Sequence, residues 1–271
     1  MSLAELEIPV ELTEPFVRLS KDMKQASRTL RKQEARWLVD IYYQIQNDRM
    51  RSAAQARTCE EAGEPNRLLD WVFESMKRFE GAIRSALGEF AKTYQVGQWM
   101  QAQVGIGPVL SAALLAHIDI RKAPTVGHIW RFAGLDPTCK WEKGKKRPWN
   151  AQLKSICAFR LGECFVKTQN HERSYYGKLF AQKKATLTEA NARGDYTAQA
   201  AAELARLAAD KGLAKKMADT QRKKHWEAGH LAPANIHDRA RRWAVKLFLS
   251  HLHHVMYHEW HEKDPPAPYV F

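Results

Sequence analysis

Apolar residues recur at three- and four-residue steps over most of this chain. Between Thr13 and Ala62, Leu30, Trp37, Ile41 and Ile45 fall four and seven positions apart with polar residues between them, the period of a helix that buries one face. The stretch holds one proline, Pro15, near its start, and Gly63-Glu64-Pro65 breaks it. Leu69, Phe73, Met76, Phe79, Ile83, Leu87 and Phe90 then mark a second helix from about Asn66 to Tyr94. Two long amphipathic helices joined by a short break predict an antiparallel hairpin of coiled-coil character, a rigid or oligomer-forming arm over residues 1–96.

The pattern changes at residues 97–170. Short apolar runs alternate with the turn sequences "VGIGP", "KAPTVGH", "FAGLDP" and "EKGKKRP". From about His171 to Lys224 the chain is again helical and charged, and its segment "AQAAAELARLAADKGLAKK" has the composition of an exposed helix. "AGHLAPAN" makes a turn at 228–235, a last helix runs from about Ile236 to Trp260, and the prolines of "DPPAPYVF" extend the tail. No repeat and no sustained two-residue alternation is visible. At most a short β-hairpin fits around Cys139–Arg147. The fold expected is all-α, with a C-terminal helical region over 171–271.

The stretch "VGIGPVLSAALLAHI" has the form of a helix-hairpin-helix unit. "QWMQAQ" leads in, Val104-Gly105-Ile106-Gly107 turns the chain, and Pro108 suits the first position of the helix that follows, where its missing N–H costs nothing. Ala112 and Ala113 permit close packing of that helix. The amides of Gly105, Gly107 and Val109 could hold one phosphate without reading sequence. The same residues also suit a tight corner between helices with no ligand.

Charge sharpens the phosphate reading. The 271 residues carry a formal net charge of +13, and 45% apolar residues with nine tryptophans exclude a disordered basic tail. Part of the surplus is local: Lys122, Arg131, Lys140, Lys143, Lys145, Lys146, Arg147 and Lys154 lie in a segment where Asp136 and Glu142 are the opposing acids. Trp141 and Trp149 are interleaved with them, and tryptophans so placed either stack on bases or pack inward. These side chains with the glycine turn form the expected nucleic-acid-binding set. DNA is the expected partner, with RNA open.

The run from about Trp99 to Lys167 resembles the C-terminal helix-hairpin-helix domain of the DEDD-type insertion-sequence transposases, which use a structured guide RNA. The matching segments are "VGIGPVLSAALLAHI", "FAGLDP" (132–137), "KGKKR" (143–147) and "NAQLK" (150–154), in the family's order and spacing. The resemblance implies nucleic-acid binding in a mobile-element or phage setting. It does not extend to catalysis. The family's RuvC-like nuclease domain has no counterpart ahead of the helical hairpin. No serine lies between Asp136 and Lys154, where the family places its nucleophile, and Lys154 stands where the family has arginine.

Other groups carry less. His251, His254, His258 and His261 follow three- and four-residue steps, and His254 with His258 has a spacing that can chelate a metal. One helix can hardly close a four-ligand site, so these histidines are expected to flank the core, and neither metal nor cofactor is expected. Cys157, Cys164 and His171, each seven apart, read as core positions. Arg239–Lys246 is a basic opening to the last helix that suits a phosphate or plain solvent. Cys59, Cys139, Cys157 and Cys164 form no CxxC pair. The start "MSLAELEIPVEL" carries no secretory signal pattern, and no run is long enough to span a bilayer, so a cytoplasmic protein with free thiols is expected. Besides the nucleic-acid-binding accessory protein, two readings stay open: a diverged transposase or recombinase subunit whose cleavage depends on a partner or metal, and an oligomeric assembly protein whose charge serves solubility alone.

Overall fold

The computed structural model describes residues 20–266. The expectations for the N-terminal segment before Ser20 and for the end of the proline-rich tail fall outside the described residues. Every regular element among the described residues is helical, so the protein is all-α. The chain divides into two compact units. The first holds the chain up to Ala102, Ile106–Lys122 and Met256–Glu262; the second holds Gln103–Gly105, Ala123–Val255 and the residues after Glu262.

In the first unit, the single helix expected from Thr13 onward is two among the described residues: α1 (Lys21–Arg28) and α2 (Lys32–Glu61). Thr29 stops α1 by turning its hydroxyl onto Ala26 O at 2.9 Å, and Arg31 restarts the chain in extended geometry. The Glu34 carboxylate accepts the Arg31 amide at 2.8 Å, covering an amide that no carbonyl of the helix can reach. α3 (Arg67–Lys92) follows a turn and is capped by Asn66, whose Oδ1 accepts the amides of Leu68 and Leu69. It runs opposite to α2, since Gln46 and Arg49 meet Glu80 while Ser52 meets Met76.

The buried face of α2 differs from the expected one. Ala35, Val39 and Tyr42 are buried, whereas Trp37 and Ile41 face solvent. Small side chains at 35 and 39 suit close packing of α2 against its neighbouring helices, and the bulkier stripe on another face is left outside. In α3, Ile83, Leu87 and Phe90 are buried as the periodicity requires, but Phe79 is exposed.

α4 (Gln95–Ala102) and α5 (Pro108–His117) complete this unit. The Glu259 carboxylate accepts the amides of Gln95 and Val96 at 3.0 and 2.8 Å, placing a negative charge at the positive end of α4. α5 is apolar all round and is buried from Ser111 to His117, as a helix enclosed by others must be. Its C-terminal carbonyls are covered by cations: Arg36 donates to Ala116 O at 2.8 Å and Lys32 to Ile118 O at 2.9 Å.

Beyond α5 a 3-10 turn, Ile120–Lys122, is pinned by Asp119, which accepts from the Arg121 guanidinium at 2.8 and 2.9 Å. Those bonds hold the Asp119 carboxyl down to about 2. A carboxyl whose folded value lies below its unfolded one, near 4, stabilises the fold above the unfolded value and ceases to do so as the pH falls through the folded one. Thermal melting between about pH 4 and 2 should therefore fall less steeply for Asp119→Asn than for the natural chain. Parallel melting curves would remove this role.

The second unit contains α6 (Val126–Phe132), α7 (Ala151–Ser155), a π turn (Ile156–Leu161) and α8 (Gly162–Lys167), the last three continuous. α9 (Tyr175–Ala192), α10 (Thr197–Ala209), α11 (Lys211–Met217), α12 (Gln221–Glu227) and α13 (Pro233–His261) follow; only the last turns of α13 belong to the first unit. Phe165, Tyr176 and Phe248 form one aromatic core, and Ala200, Leu207, Trp226, Leu231 and Ile236 form another. The alanine-rich segment is thus not wholly exposed, because Ala200 and Leu207 anchor α10 to the second core. The last helix begins at Pro233, three residues ahead of the expected start.

Candidate nucleic-acid interface

The two glycines of the turn have different jobs. Gly105 lies at φ +91°, and a Cβ there would sit 2.5 Å from Cys164 Sγ and 2.9 Å from Thr168 Cγ2. It is a packing glycine of the second unit. Gly107 is extended, at φ −93° and ψ −178°, and a Cβ on it would meet nothing within 4 Å. It opens α5 in the first unit, with Pro108 next and its carbonyl accepting the Ser111 amide and hydroxyl, both at 3.1 Å. The amides of a first helical turn have no carbonyl ahead of them, so the space at Gly107 leaves room for an anion. Val109 is buried and can offer only its backbone. Lys122 is exposed at the end of the 3-10 turn.

In the second unit, the motifs "FAGLDP" and "NAQLK" are brought together. The Asn150 amide donates to Phe132 O at 2.9 Å, while Asn150 Oδ1 caps α7 by accepting the Leu153 amide at 2.8 Å. Gly134, at φ +64°, lies against Trp149 and Lys154: a Cβ would come within 2.9 Å of Trp149 Cγ and 2.8 Å of Lys154 Cδ. Lys154 places its ammonium 4.0 Å from the centre of the Trp149 ring. Trp149 is therefore a packed tryptophan, held between a glycine turn and a cation.

The basic loop leaves from this base. Residues 138–149 contain turns but neither helix nor strand, so the short hairpin considered at Cys139–Arg147 does not form. The loop bonds locally instead: the Asp136 carboxylate accepts the Thr138 amide and hydroxyl, the Lys145 amide donates to Glu142 O, and Pro148 removes a ladder donor at its end. Trp141 ties the loop to itself, donating Nε1–H to Lys145 O at 2.6 Å with the Arg147 guanidinium 5.5 Å from its ring centre. It is still 41% exposed, so it is neither a core side chain nor a free platform. Lys140, Lys143, Lys145, Lys146 and Arg147 are all exposed. The one ion pair in the loop, Lys145 with Glu142, joins two solvent-exposed groups and neutralises little.

Cations from α13 extend this surface. Arg131 on α6 is exposed, and its neighbour Trp130 donates Nε1–H to Lys246 O at 3.2 Å with the Lys246 ammonium 5.1 Å over its ring. Burial lowers the Lys246 ammonium, and Asp136 and Arg242 are the charges it feels. Arg239, Arg242 and Lys246 follow steps of three and four and share one helix face, a signal present in the sequence. Arg239 lies 5.0 Å over the Tyr196 ring. Arg241 is different: it pairs with Glu163 and Asp238 at 2.7 and 2.8 Å and lies against Gly162, which has no side chain to obstruct it. The π turn on the helix it crosses leaves Phe159 58% exposed.

The remaining candidates settle into local roles. His251 Nδ1 lies 2.8 Å from the Tyr176 hydroxyl, and burial, with His254 nearby, lowers its imidazole. His253, not singled out by periodicity, is buried with Nε2 2.8 Å from Ala123 O. His254 and His258 are exposed, and among the described residues no three His, Cys, Asp or Glu side chains converge as metal ligands. Burial pushes the Cys157 thiol up to about 12 and the Cys164 thiol up to about 11, which makes both poor nucleophiles. His171 is exposed beyond the end of α8, so it does not continue their row. Among the described residues no helix is long and apolar enough to cross a membrane. No protein-family model, no curated protein and no solved structure matches this chain.

Proposed function

We propose that this chain is a nucleic-acid-binding accessory protein, with DNA as its ligand, that grips backbone phosphates through the basic face of its second unit. The observation that carries this reading is the loop at 140–147, which exposes five cations against one acid and is fixed at both ends by Asp136 and Asn150. Arg131, Lys154, Arg242 and Lys246 continue the charge on the elements that hold it. Gly107, with open space at the head of α5, offers amides for a phosphate of its own. The order of "FAGLDP", "KGKKR" and "NAQLK", which resembles the guide-RNA-dependent transposases, supports a mobile-element or phage setting. Four free thiols suit the reducing cytoplasm.

Such a surface recognises charge rather than base edges, so binding is largely independent of sequence and falls steeply with salt. Fluorescence anisotropy with labelled duplex DNA, single-stranded DNA and structured RNA, each at two salt concentrations, tests it. The expected result is submicromolar binding, tightest for duplex DNA, that weakens as salt rises. Absence of binding to all three at low salt would overturn the reading.

A further inference from the structure

We propose that the outer halves of α2 and α3 form a pairing surface for a second copy of this chain. From residue 53 to residue 82 no side chain is buried: Ser52 is the last buried residue of α2 and Ile83 the first of α3. That stretch nevertheless carries Leu68, Leu69, Trp71, Val72, Phe73, Met76 and Phe79. Leu68, Trp71 and Phe79 are 65%, 66% and 53% exposed, and with Ser75 they follow steps of three and four along one face of α3. Together they leave on the order of 350 Å² of apolar surface in water, the size of the largest patch that a single chain ordinarily shows, which is often a functional one.

Charge identifies the occupant. Between positions 32 and 92 ten basic side chains are matched by ten acidic ones, so the whole +13 surplus lies outside this arm. A polyanion gains nothing from a neutral arm. Two copies of this chain repel each other wherever the surplus lies, and the arm is the long apolar surface on which that repulsion is absent. A helical stripe is also self-complementary about a two-fold axis, which is how identical chains close a dimer. α3 is about 39 Å long, and with the adjoining flank of α2 it can supply the ~800 Å² per chain that a stable interface needs. Apolar pairing of this kind withstands salt, unlike the phosphate contacts proposed above, and does not rest on them.

The test is the mass of the full chain in solution by light scattering, from 1 to 100 µM, at low salt and at 0.5 M salt. The natural chain should run at twice the mass of one chain at both salts. The Trp71→Glu/Phe79→Glu variant should run as a single chain with an unchanged far-UV circular dichroism spectrum, since both side chains are exposed in the isolated fold. A single-chain mass for the natural protein at 100 µM, or a dimeric variant, would overturn the proposal. Hydrogen exchange provides a second check: at 100 µM, amides at 67–79 should exchange more slowly in the natural chain than in the Trp71→Glu/Phe79→Glu variant, and equal rates would also overturn it.

Discussion

Replacing Lys143, Lys145, Lys146 and Arg147 together with alanine should reduce the affinity for duplex DNA by roughly three and a half orders of magnitude at 0.1 M salt. Each phosphate contact contributes about 0.9 to the slope of log affinity against log salt, so removing four should flatten that slope by about 3.6. The fold should be untouched, for specific reasons. The four side chains are exposed. Trp141 keeps its bond to the Lys145 carbonyl, which alanine retains, and the ends of the loop depend on Asp136 and Asn150. Lost affinity with an unchanged slope would mean that the loop acts through shape rather than charge. An unchanged affinity would remove it from the interface.

The helical class and the long helices were legible because each depends on local periodicity and breakers. α3 falls within two residues of its expected limits, and Pro108 opens α5 where the turn sequence puts it. What was not legible was which face of α2 goes inward. Trp37, Ile41 and Ile45 make the more apolar stripe of α2, yet Ala35, Val39 and Tyr42 are buried, because the choice belongs to the helices that pack against α2 and not to α2 itself. A hydrophobic stripe records that a face is to be covered, not what covers it. Trp37 and Trp71 mark stripes that this chain's own folding leaves uncovered.

The proposed interface divides along the same line. The loop cations were visible as a run, and a run of lysines with one acid among them is exposed in almost any fold. Arg242 and Lys246 could not be joined to them from sequence, since the link is Trp130 packing across α13 more than a hundred residues away. Arg241, one position earlier than Arg242, is withdrawn from that face by Glu163 and Asp238. Both belong to the one basic run Arg239–Lys246, and only the fold shows which of the two is already paired.

Gly105 and Gly107 look equivalent in "VGIGP", and substitution should separate them completely. Gly105→Ala places a Cβ at φ +91° and within 2.5 Å of Cys164 Sγ. The backbone strain of about 1–2 kcal/mol and the overlap of about 1–3 kcal/mol both act, for a loss of roughly 2–5 kcal/mol. In a unit of this size that lowers the melting midpoint by about 5–15 °C. Adding Cys164→Ala should recover only part of it, because it relieves the overlap and leaves the strain. Gly107→Val should melt within a few degrees of the natural chain, since φ −93° and ψ −178° suit a β-branched residue and the Cβ enters open space. Its effect should be on binding instead. A valine there keeps a phosphate from the first amides of α5 and removes one contact, about an eightfold loss at 0.1 M salt. A stable Gly107→Val chain with full affinity would reduce the turn to a corner between helices and leave the basic loop as the binding element. A Gly105→Ala chain as stable as the natural one would contradict the packing of Gly105 against Cys164, the contact that distinguishes one glycine from the other.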